Sequence, residues 1–221
     1  EIIISDKDTL KPDGTLEIPD IGLGEAYLGK ASYVVYDEED IDDDLLKLVC
    51  ARKYNEPLVI ARTERFIIRE MTEGDLPHLY ELYQTLSDCP YVEPLYEYED
   101  EKAFTIKYIE NMYGFFGYGL WLVLDKKTGE LVARAGIENR SIDGQNCQEL
   151  GYLVKKSWQG KHVAWEVMNH IVDIAKDRFG LEELYICTEK TNNPSIQLAL
   201  KLGFTLYAGD TDGMNIYRKV L

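Results

Sequence analysis

The sequence predicts a mixed α/β (α+β) fold with a small α/β appendage at its amino-terminal end. From about residue 62 onward, strand-like and helix-like apolar patterns follow one another in the order β-α-α-β-β-β-α-β-α-β-β. Charge also divides the chain, because residues 1–61 carry 15 acidic and 6 basic side chains whereas residues 62–221 carry 25 and 18. We therefore expect an appendage over residues 1–61 and a main domain over residues 62–221.

The appendage is predicted to contain two strands and one helix. The strands cover residues 2–5 and 31–36, and Asp42 is expected to cap a helix over Asp43–Lys53. So small a unit buries little apolar surface, and we expect it to pack against the main domain. Because the chain enters the apolar run at residues 2–4 directly after Glu1, we also expect the natural amino terminus to lie further upstream.

Each of two acidic motifs in the appendage can be interpreted either as a functional site or as acidic residues without a catalytic role. Asp6 and Asp8 form a DxD motif that superficially resembles the nucleophile motif of haloacid-dehalogenase-type phosphatases, but about 60 residues leave no room for the doubly wound sheet of that fold. We interpret them as acidic residues in a turn. The run at residues 37–44 lacks the ligand spacing of a calcium loop and is interpreted as a solvated face, so no metal site is predicted.

The main domain is predicted to begin with a strand over residues 64–70 and a helix that starts at a capping box formed by Thr72 and Asp75. A second helix follows over residues 97–113. A hairpin of strands 120–125 and 130–137 then encloses KKTG, and a strand covers residues 149–154. The remaining elements are a helix at 163–179, a strand at 184–188, a helix at 194–202 and closing strands at 204–208 and 214–220.

Composition excludes several classes of function. A formal charge of −16 opposes binding to a nucleic-acid backbone, which needs clustered Lys and Arg, whereas an acidic surface can attract a cationic amine. The four cysteines show no CxxC pair and are interpreted as reduced thiols. Neither a membrane span nor a signal segment is recognisable. We expect a cytoplasmic protein with no membrane partner, and the sequence leaves a homodimer open.

The most informative segment is QELGYLVKKSWQGKHVA at residues 148–164. A predicted strand leads through a turn of small residues into a helix, so free N–H groups and the positive helix end converge on one point. Such a turn suits a phosphate. The segment therefore predicts a cofactor that carries a nucleotide.

Four segments in order resemble the GCN5-related N-acetyltransferase (GNAT) family, in its ribosomal-protein-acetylating branch. They are TERFIIREMTEGDLPHLYELY, ELGYLV, WQGKHVA and TNNPSIQLALKLGF, and the resemblance covers about residues 62–221. It implies a mostly antiparallel sheet flanked by helices, with a splayed central strand pair between residues 149–154 and 184–188. It also implies an enzyme that transfers an acyl group from acetyl-coenzyme A, as co-substrate, to an amine.

The resemblance also implies a cofactor site. The family's phosphate loop matches Gln159 and Ala164, but His162 stands where the family has a glycine. The strand at Tyr152 to Val154 is expected to pair with the pantetheine arm, and an N–H near Val154 to polarise the thioester carbonyl. Asn192 is expected to support the cofactor, to cap the last helix, or both. The full set of expected cofactor residues is Tyr152, Leu153, Val154, Gln159, Gly160, Lys161, His162, Val163, Ala164, Asn192 and Ser195.

Glu149 is the expected general base, because a primary amine is mostly protonated at neutral pH and must lose a proton before it attacks. The general acid stays open. Many relatives have a tyrosine where this chain has Ala199, so Tyr152, Tyr185, Tyr207 or water would have to serve.

The acceptor is expected to be a small-molecule amine or a peptide amino group. It is expected to bind near an aromatic and acidic stretch between Tyr91 and Trp121, whose aromatic residues also suit core packing. The glycines 114, 117 and 119 are expected to form a flexible turn there. The alternative to an enzyme is a non-catalytic acyl-CoA sensor with a degenerate GNAT site.

Overall fold

The computed structural model describes residues 2–6, 9–11, 16–54, 56–211 and 213–221. The chain divides into two compact units, Glu1–Leu58 and Val59–Leu221. Asp8, the second acidic residue of the DxD motif that resembles a phosphatase motif, lies outside the described residues. Within the described part of the chain, no helix is long and apolar enough to cross a membrane.

The first unit contains short strands and one capped helix. The strands are β1 (Ile4–Ser5), β2 (Thr9–Leu10), β3 (Leu16–Glu17), β4 (Ile21–Leu23) and β5 (Tyr33–Val35), followed by helix α1 (Asp43–Lys53). Strands β1, β4 and β5 form a parallel sheet in that order, and β2 pairs with β3. The predicted helix is confirmed, since the Asp42 carboxylate accepts the N–H groups of Asp44 and Leu45 at 3.0 and 2.8 Å.

The second unit is built on one eight-stranded sheet. Its strands are β6 (Val59–Arg62), β7 (Phe66–Arg69), β8 (Leu120–Asp125), β9 (Leu131–Ile142), β10 (Gln145–Val154), β11 (Glu183–Glu189), β12 (Thr205–Thr211) and β13 (Met214–Val220). Their spatial order is β12-β13-β11-β10-β9-β8-β7-β6. Every neighbouring pair is antiparallel except β10 with β11. The predicted mostly antiparallel sheet is confirmed.

Helices cover both faces of this sheet. They are α2 (Leu76–Gln84), α3 (Tyr98–Tyr108), α4 (Val163–Asp177) and α5 (Asn193–Lys201). Arg134 of β9 reaches Tyr83 of α2 on one face. On the other face, Tyr152 of β10, whose register partner is Ala135, contacts Ser195 of α5. We call the first the acceptor face, after the acceptor site that the sequence predicts near α3, and the second the α5 face.

The structure differs from the sequence prediction in both units: strands β2, β3 and β4 of the first unit were not predicted, and β10 begins at Gln145 instead of residue 149. Strand β6 was not predicted, and β9 runs to Ile142 because Asp143 and Gly144, both with positive φ, form a two-residue hairpin loop. The predicted helix over 97–113 is α3 followed by a π-helix, Ile109–Phe116.

The three glycines of the expected flexible turn have other roles. Gly114 lies within the π-helix, and Gly117, with φ 76°, ends it. Gly119 packs so closely that a Cβ there would lie 2.7 Å from the Tyr113 ring. The segment is therefore a helix end followed by a tightly packed strand entry.

Candidate active site

The centre of the sheet opens into a cleft. Strands β10 and β11 share a single register pair, Glu149 with Tyr185, whereas β10 stays paired with β9 along its whole length. The edge of β10 beyond Glu149 is thus not used by the sheet and can pair with a ligand. The opening has a volume of ≈ 800 Å³. This divergence confirms the predicted splay.

Eleven of the predicted site residues line this cleft. They are Glu149, Tyr152, Leu153, Val154, Gln159, Gly160, His162, Val163, Ala164, Asn192 and Ser195. The predicted residue outside the lining is Lys161, whose exposed ammonium lies 5.1 Å from the centre of the Trp158 ring. Its side chain therefore belongs to the outer surface of the loop.

The end of β10 presents its backbone to the cleft. Lys155 donates its N–H to the Val132 carbonyl on β9 at 2.9 Å. Since successive N–H groups of an extended strand point in opposite directions, the N–H of Val154 faces the cleft. The Val154 carbonyl accepts a hydrogen bond from the Gln159 side chain at 3.0 Å. Gln159 thereby ties the loop to the strand that it follows.

His162, which stands where the family has a glycine, has a backbone conformation that glycine favours. Its φ is 61°, in the left-handed region, and it is the N-cap of α4. An L side chain in that region costs about 1 kcal/mol. Two residues earlier, Gly160 has φ 72°. The turn thus contains two residues with positive φ, and the exposed His162 side chain lies at the rim of the cleft.

Arg65 holds this loop from outside. Its guanidinium donates to the Lys161 carbonyl at 3.0 Å and to a Glu166 carboxylate oxygen at 2.7 Å. The other Glu166 oxygen accepts the Thr63 hydroxyl at 2.6 Å and the Arg65 N–H at 3.1 Å. Burial alone would raise the pKa of Glu166, but these donors outweigh it and lower that pKa. The clamp joins the loop, the first turn of α4 and the β6–β7 turn.

The far wall of the cleft comes from α5 and β11. The Asn192 side chain accepts the Ser195 N–H at 3.3 Å, so Asn192 caps α5 as well as lining the cleft. The buried Thr188 hydroxyl also belongs to the lining, and it has no hydrogen-bond partner among the described residues. No sequence pattern indicates Thr188 as a site residue, since the orientation of a β11 side chain depends on how that strand is paired.

Glu149 bridges the two strands at the point where they separate. One carboxylate oxygen accepts the Arg140 guanidinium at 2.9 Å, and the other accepts the Cys187 N–H of β11 at 3.1 Å. Burial, together with the Glu149 charge, raises the pKa of the Cys187 thiol to about 12. Cys187 therefore stays protonated at neutral pH and is a poor nucleophile.

A second carboxylate lies beside Glu149. Glu138 of β9 is its register partner, so both side chains project from the acceptor face. The Tyr108 hydroxyl donates to one Glu138 oxygen at 3.3 Å. The other oxygen lies over Gly151, 3.6 Å from where a Cβ would stand. Burial raises the pKa of Glu138, and the Glu149 charge adds to the rise, against the lowering effects of Arg134 and Tyr108.

Comparison with known proteins identifies the fold. The family model for the GNAT acetyltransferase domain matches residues 65–205, which is more than half of the chain. The chain belongs to the GNAT acetyltransferase family. It is therefore an N-acetyltransferase, and members of this family use acetyl-CoA.

Individual relatives support the GNAT assignment. The chain is 28% identical over 144 residues to the uncharacterised protein YkkB of Bacillus subtilis, a match that spans 64% of this chain and 82% of YkkB. A crystal structure of an acetyltransferase from Agrobacterium tumefaciens has a TM-score of 0.61 at 24% identity, covering 73% of this chain and 94% of that one. The ribosomal L7/L12 alpha-N-protein acetyltransferase RimL, in complex with coenzyme A, has a TM-score of 0.63 at 15% identity, with 74% and 98% coverage.

The structure narrows the choice of a proton donor in this GNAT enzyme. Tyr152 lines the cleft, and burial raises its pKa. Tyr185 and Tyr207 are not among the lining residues; their rings pack against each other, and the Tyr185 hydroxyl donates to Glu183 at 2.6 Å. Ala199 is fully buried in the core. Of the three tyrosines that the sequence left open, Tyr152 alone is placed at the cleft.

The aromatic stretch of the GNAT domain divides between core and surface. Tyr108, Tyr113 and Tyr118 are buried. The exposed members are Tyr91, Tyr96, Tyr98, Phe104, Phe115 and Phe116, of which Tyr91 lines the cleft. Core packing is thus confirmed for the buried tyrosines, and acceptor binding by the exposed rings stays a prediction.

Proposed function

We propose that this GNAT enzyme moves an acetyl group from acetyl-CoA to a primary amine of a small molecule or peptide, by direct transfer in a ternary complex. The observation that carries the proposal is the divergence of β10 from β11 after Glu149, with the Gln159–Ala164 loop at one end of the cleft. A single opening can hold the pantetheine arm along β10 and leave its far end, at Glu149, for the acceptor.

The residues present fit coenzyme A. Backbone N–H groups at the start of α4 suit the pyrophosphate, and the unused edge of β10 suits the amides of the pantetheine arm. The unpartnered Thr188 hydroxyl offers a buried polar group that a ligand can satisfy. In this arrangement Asn192 and Ser195 support the side of the cofactor that faces α5.

Two groups at the cleft suit acyl transfer. The Val154 N–H faces the cleft, and we propose that it polarises the thioester carbonyl and stabilises the oxyanion that forms when the amine attacks. Glu149 lies further along the same strand, and we propose that it accepts the proton of the amine. Tyr152, or water, then supplies the proton of the departing thiolate.

The acceptor is proposed to enter over the exposed aromatic surface near Tyr91, Tyr96 and Tyr98. The acidic residues Glu97 and Glu99 accompany these rings in the sequence. Aromatic faces and carboxylates together attract an ammonium group. RimL, by its name, acts on the amino terminus of a ribosomal protein, which supports including peptides among the acceptors.

The test is thiol release from acetyl-CoA over a panel containing putrescine, tyramine and a short peptide with a free amino terminus. Glu149→Gln is expected to lower turnover by roughly 100-fold, because it removes the proton acceptor. Binding of coenzyme A, measured by calorimetry, is expected to stay unchanged. Unchanged turnover would remove Glu149 from the mechanism. Binding of acetyl-CoA without thiol release for any amine would favour the sensor alternative.

A further inference from the structure

The strongest unassigned feature of the molecule is the side-by-side pair of carboxylates on the acceptor face. Glu138 and Glu149 are direct register partners on β9 and β10. Like charges placed directly opposite each other destabilise a sheet. We therefore expect such a pair to be stabilised by neighbouring positive charges or to have a function. Arg134 and Arg140, on the same strand as Glu138, provide part of the compensation.

The two carboxylates are held very differently. Both Glu149 oxygens already accept donors of the fold, from Arg140 and from the Cys187 N–H. Glu138 has one long hydrogen bond from Tyr108, and its second oxygen has no donor among the described residues. That oxygen lies over Gly151, which itself lines the cleft. Glu138 therefore has more lone pairs available to accept a proton, whereas the hydrogen bonds of Glu149 fix its position.

We propose that Glu138 is the second member of the proton acceptor, so that the proton taken from the acceptor amine is held by the pair Glu138 and Glu149 rather than by Glu149 alone. The inference rests on the proposed function and sharpens its proton step. Two carboxylates that share a site take up one proton more readily than either does separately, because protonation relieves their repulsion.

The surroundings of Glu138 agree with this role. The groups that face it are Tyr108 of α3, Arg134 and Arg140 of β9, and Glu149 of β10, with Tyr113 of the π-helix close enough to interact. The Arg134 guanidinium lies 5.6 Å from the centre of the Tyr108 ring, and its buried Nε has no partner among the described residues. Burial raises the pKa of Glu138 toward the range where a general base works at neutral pH.

The proton balance of the reaction is closed. An ammonium group loses one proton to the carboxylate pair and becomes a neutral amine, which attacks the thioester carbon and forms the C–N bond. Collapse of the tetrahedral intermediate breaks the C–S bond. Of the two protons that the nitrogen loses in all, the first passes from the pair to solvent, and the second ends on the thiolate sulfur through Tyr152 or water.

The experiment compares Glu138→Gln, Glu149→Gln and a control, Glu189→Gln, which makes the same charge change at an exposed position of β11. Thiol release with acetyl-CoA and the amine panel is measured from pH 6 to 9.5. Glu138→Gln is expected to lower kcat/KM at neutral pH by roughly 100-fold. Glu149→Gln is expected to move the acid limb of the profile to lower pH, since it leaves Glu138 without the neighbouring charge that raises its pKa. The control should match the wild type.

The outcomes separate the two proposals. If the wild type is active and Glu138→Gln has the same turnover, the proposal of a carboxylate pair is overturned and the proposed function is left intact. Absence of turnover by the wild type with every amine would overturn both. If Glu138→Gln melts below the wild type, Glu138→Asp decides, because it keeps a carboxylate but withdraws it from Gly151. A kcat/KM of that variant well above the value of Glu138→Gln supports the pair, and a kcat/KM as low as that of Glu138→Gln contradicts it.

Discussion

The proposed cofactor end of the cleft and the acceptor face are built from different chemical groups. At the proposed cofactor end, the groups that face the cleft are backbone: the Val154 N–H, the left-handed turn at Gly160 and His162, and the start of α4. On the acceptor face, the groups are side chains, above all Glu138, Arg134 and Tyr108. Backbone sites tolerate a change of residue as long as the conformation survives. Side-chain sites depend on the charge and hydrogen bonding of each member.

The largest expected effect is on the acceptor face, at Asp75 beside α2. Its buried carboxylate accepts two guanidinium hydrogen bonds from Arg69, at 2.8 and 2.6 Å, and the Thr72 N–H at 2.8 Å. Asp75→Asn is expected to lower the free energy of unfolding by about 3 kcal/mol, because it leaves Arg69 without its counter-charge. Urea unfolding at pH 7 measures this loss.

A matched control for this prediction is Asp88→Asn, since the exposed pair of Asp88 with Lys156 should contribute less than about 1 kcal/mol. The pH dependence adds a second check. Burial raises the pKa of Asp75, but Arg69 and Thr72 outweigh it and the pKa is lowered in the folded protein. The stabilisation by Asp75 is therefore complete above its unfolded pKa of about 3.9 and disappears as the pH falls through the folded value. Equal losses of unfolding free energy in Asp75→Asn and Asp88→Asn would contradict the expected difference between the buried and the exposed ion pair.

The next effect is expected at the cofactor end, where Arg65 holds the Lys161 carbonyl. Arg65→Ala should weaken coenzyme A binding by roughly tenfold, or about 1.4 kcal/mol, because the loop loses its outer support. Turnover at saturating acetyl-CoA should change little. Calorimetry with coenzyme A is the measurement, and the exposed Arg62→Ala is the control for the loss of one positive charge. A fall in kcat with unchanged affinity would show that Arg65 acts on the chemistry instead.

The smallest effect is expected at His162. His162→Gly should raise the free energy of unfolding by roughly 0.5–1 kcal/mol, because glycine adopts φ 61° without steric cost. Gly160→Ala is the opposite change. A Cβ at Gly160 would meet nothing within 4 Å, so the expected loss of about 1 kcal/mol reports backbone strain alone. Should both variants lose stability, the left-handed conformation at His162 would not be a source of strain.

The partly buried Glu138 is expected to affect the stability of the fold in a pH-dependent way. Because burial raises its pKa, Glu138 destabilises the fold once the pH passes its ordinary value, and the deficit is complete above the raised value. Glu138→Gln is thus expected to melt at or above the wild-type temperature at pH 8 and to show no gain at pH 4. A thermal melt at the two pH values checks this, and it separates lost activity from lost structure.

The sequence already contained a sign of the carboxylate pair. Asp143-Gly144 is a two-residue hairpin signal, and a two-residue loop there places Ile142 opposite Gln145 and hence Glu138 opposite Glu149. Because the predicted strand ended at residue 137, the prediction did not include this register. By contrast, Arg65 is separated by 96 positions from Lys161, whose carbonyl it binds, and no local sequence pattern predicts such a contact.

The family resemblance implied the splayed pair of strands, whereas the residues themselves predicted the order of elements, the helix caps and the loop that opens α4. The caps and the loop are local features, since backbone conformation and capping depend on residues within a few positions of each other. Tertiary structure alone decided which side chains meet at the cleft: Glu149 with Arg140 and the Cys187 N–H, Glu138 with Tyr108, and Tyr152 rather than Tyr185 or Tyr207. The physical reason is that these neighbours come from strands and helices distant in the chain, brought together by register and burial.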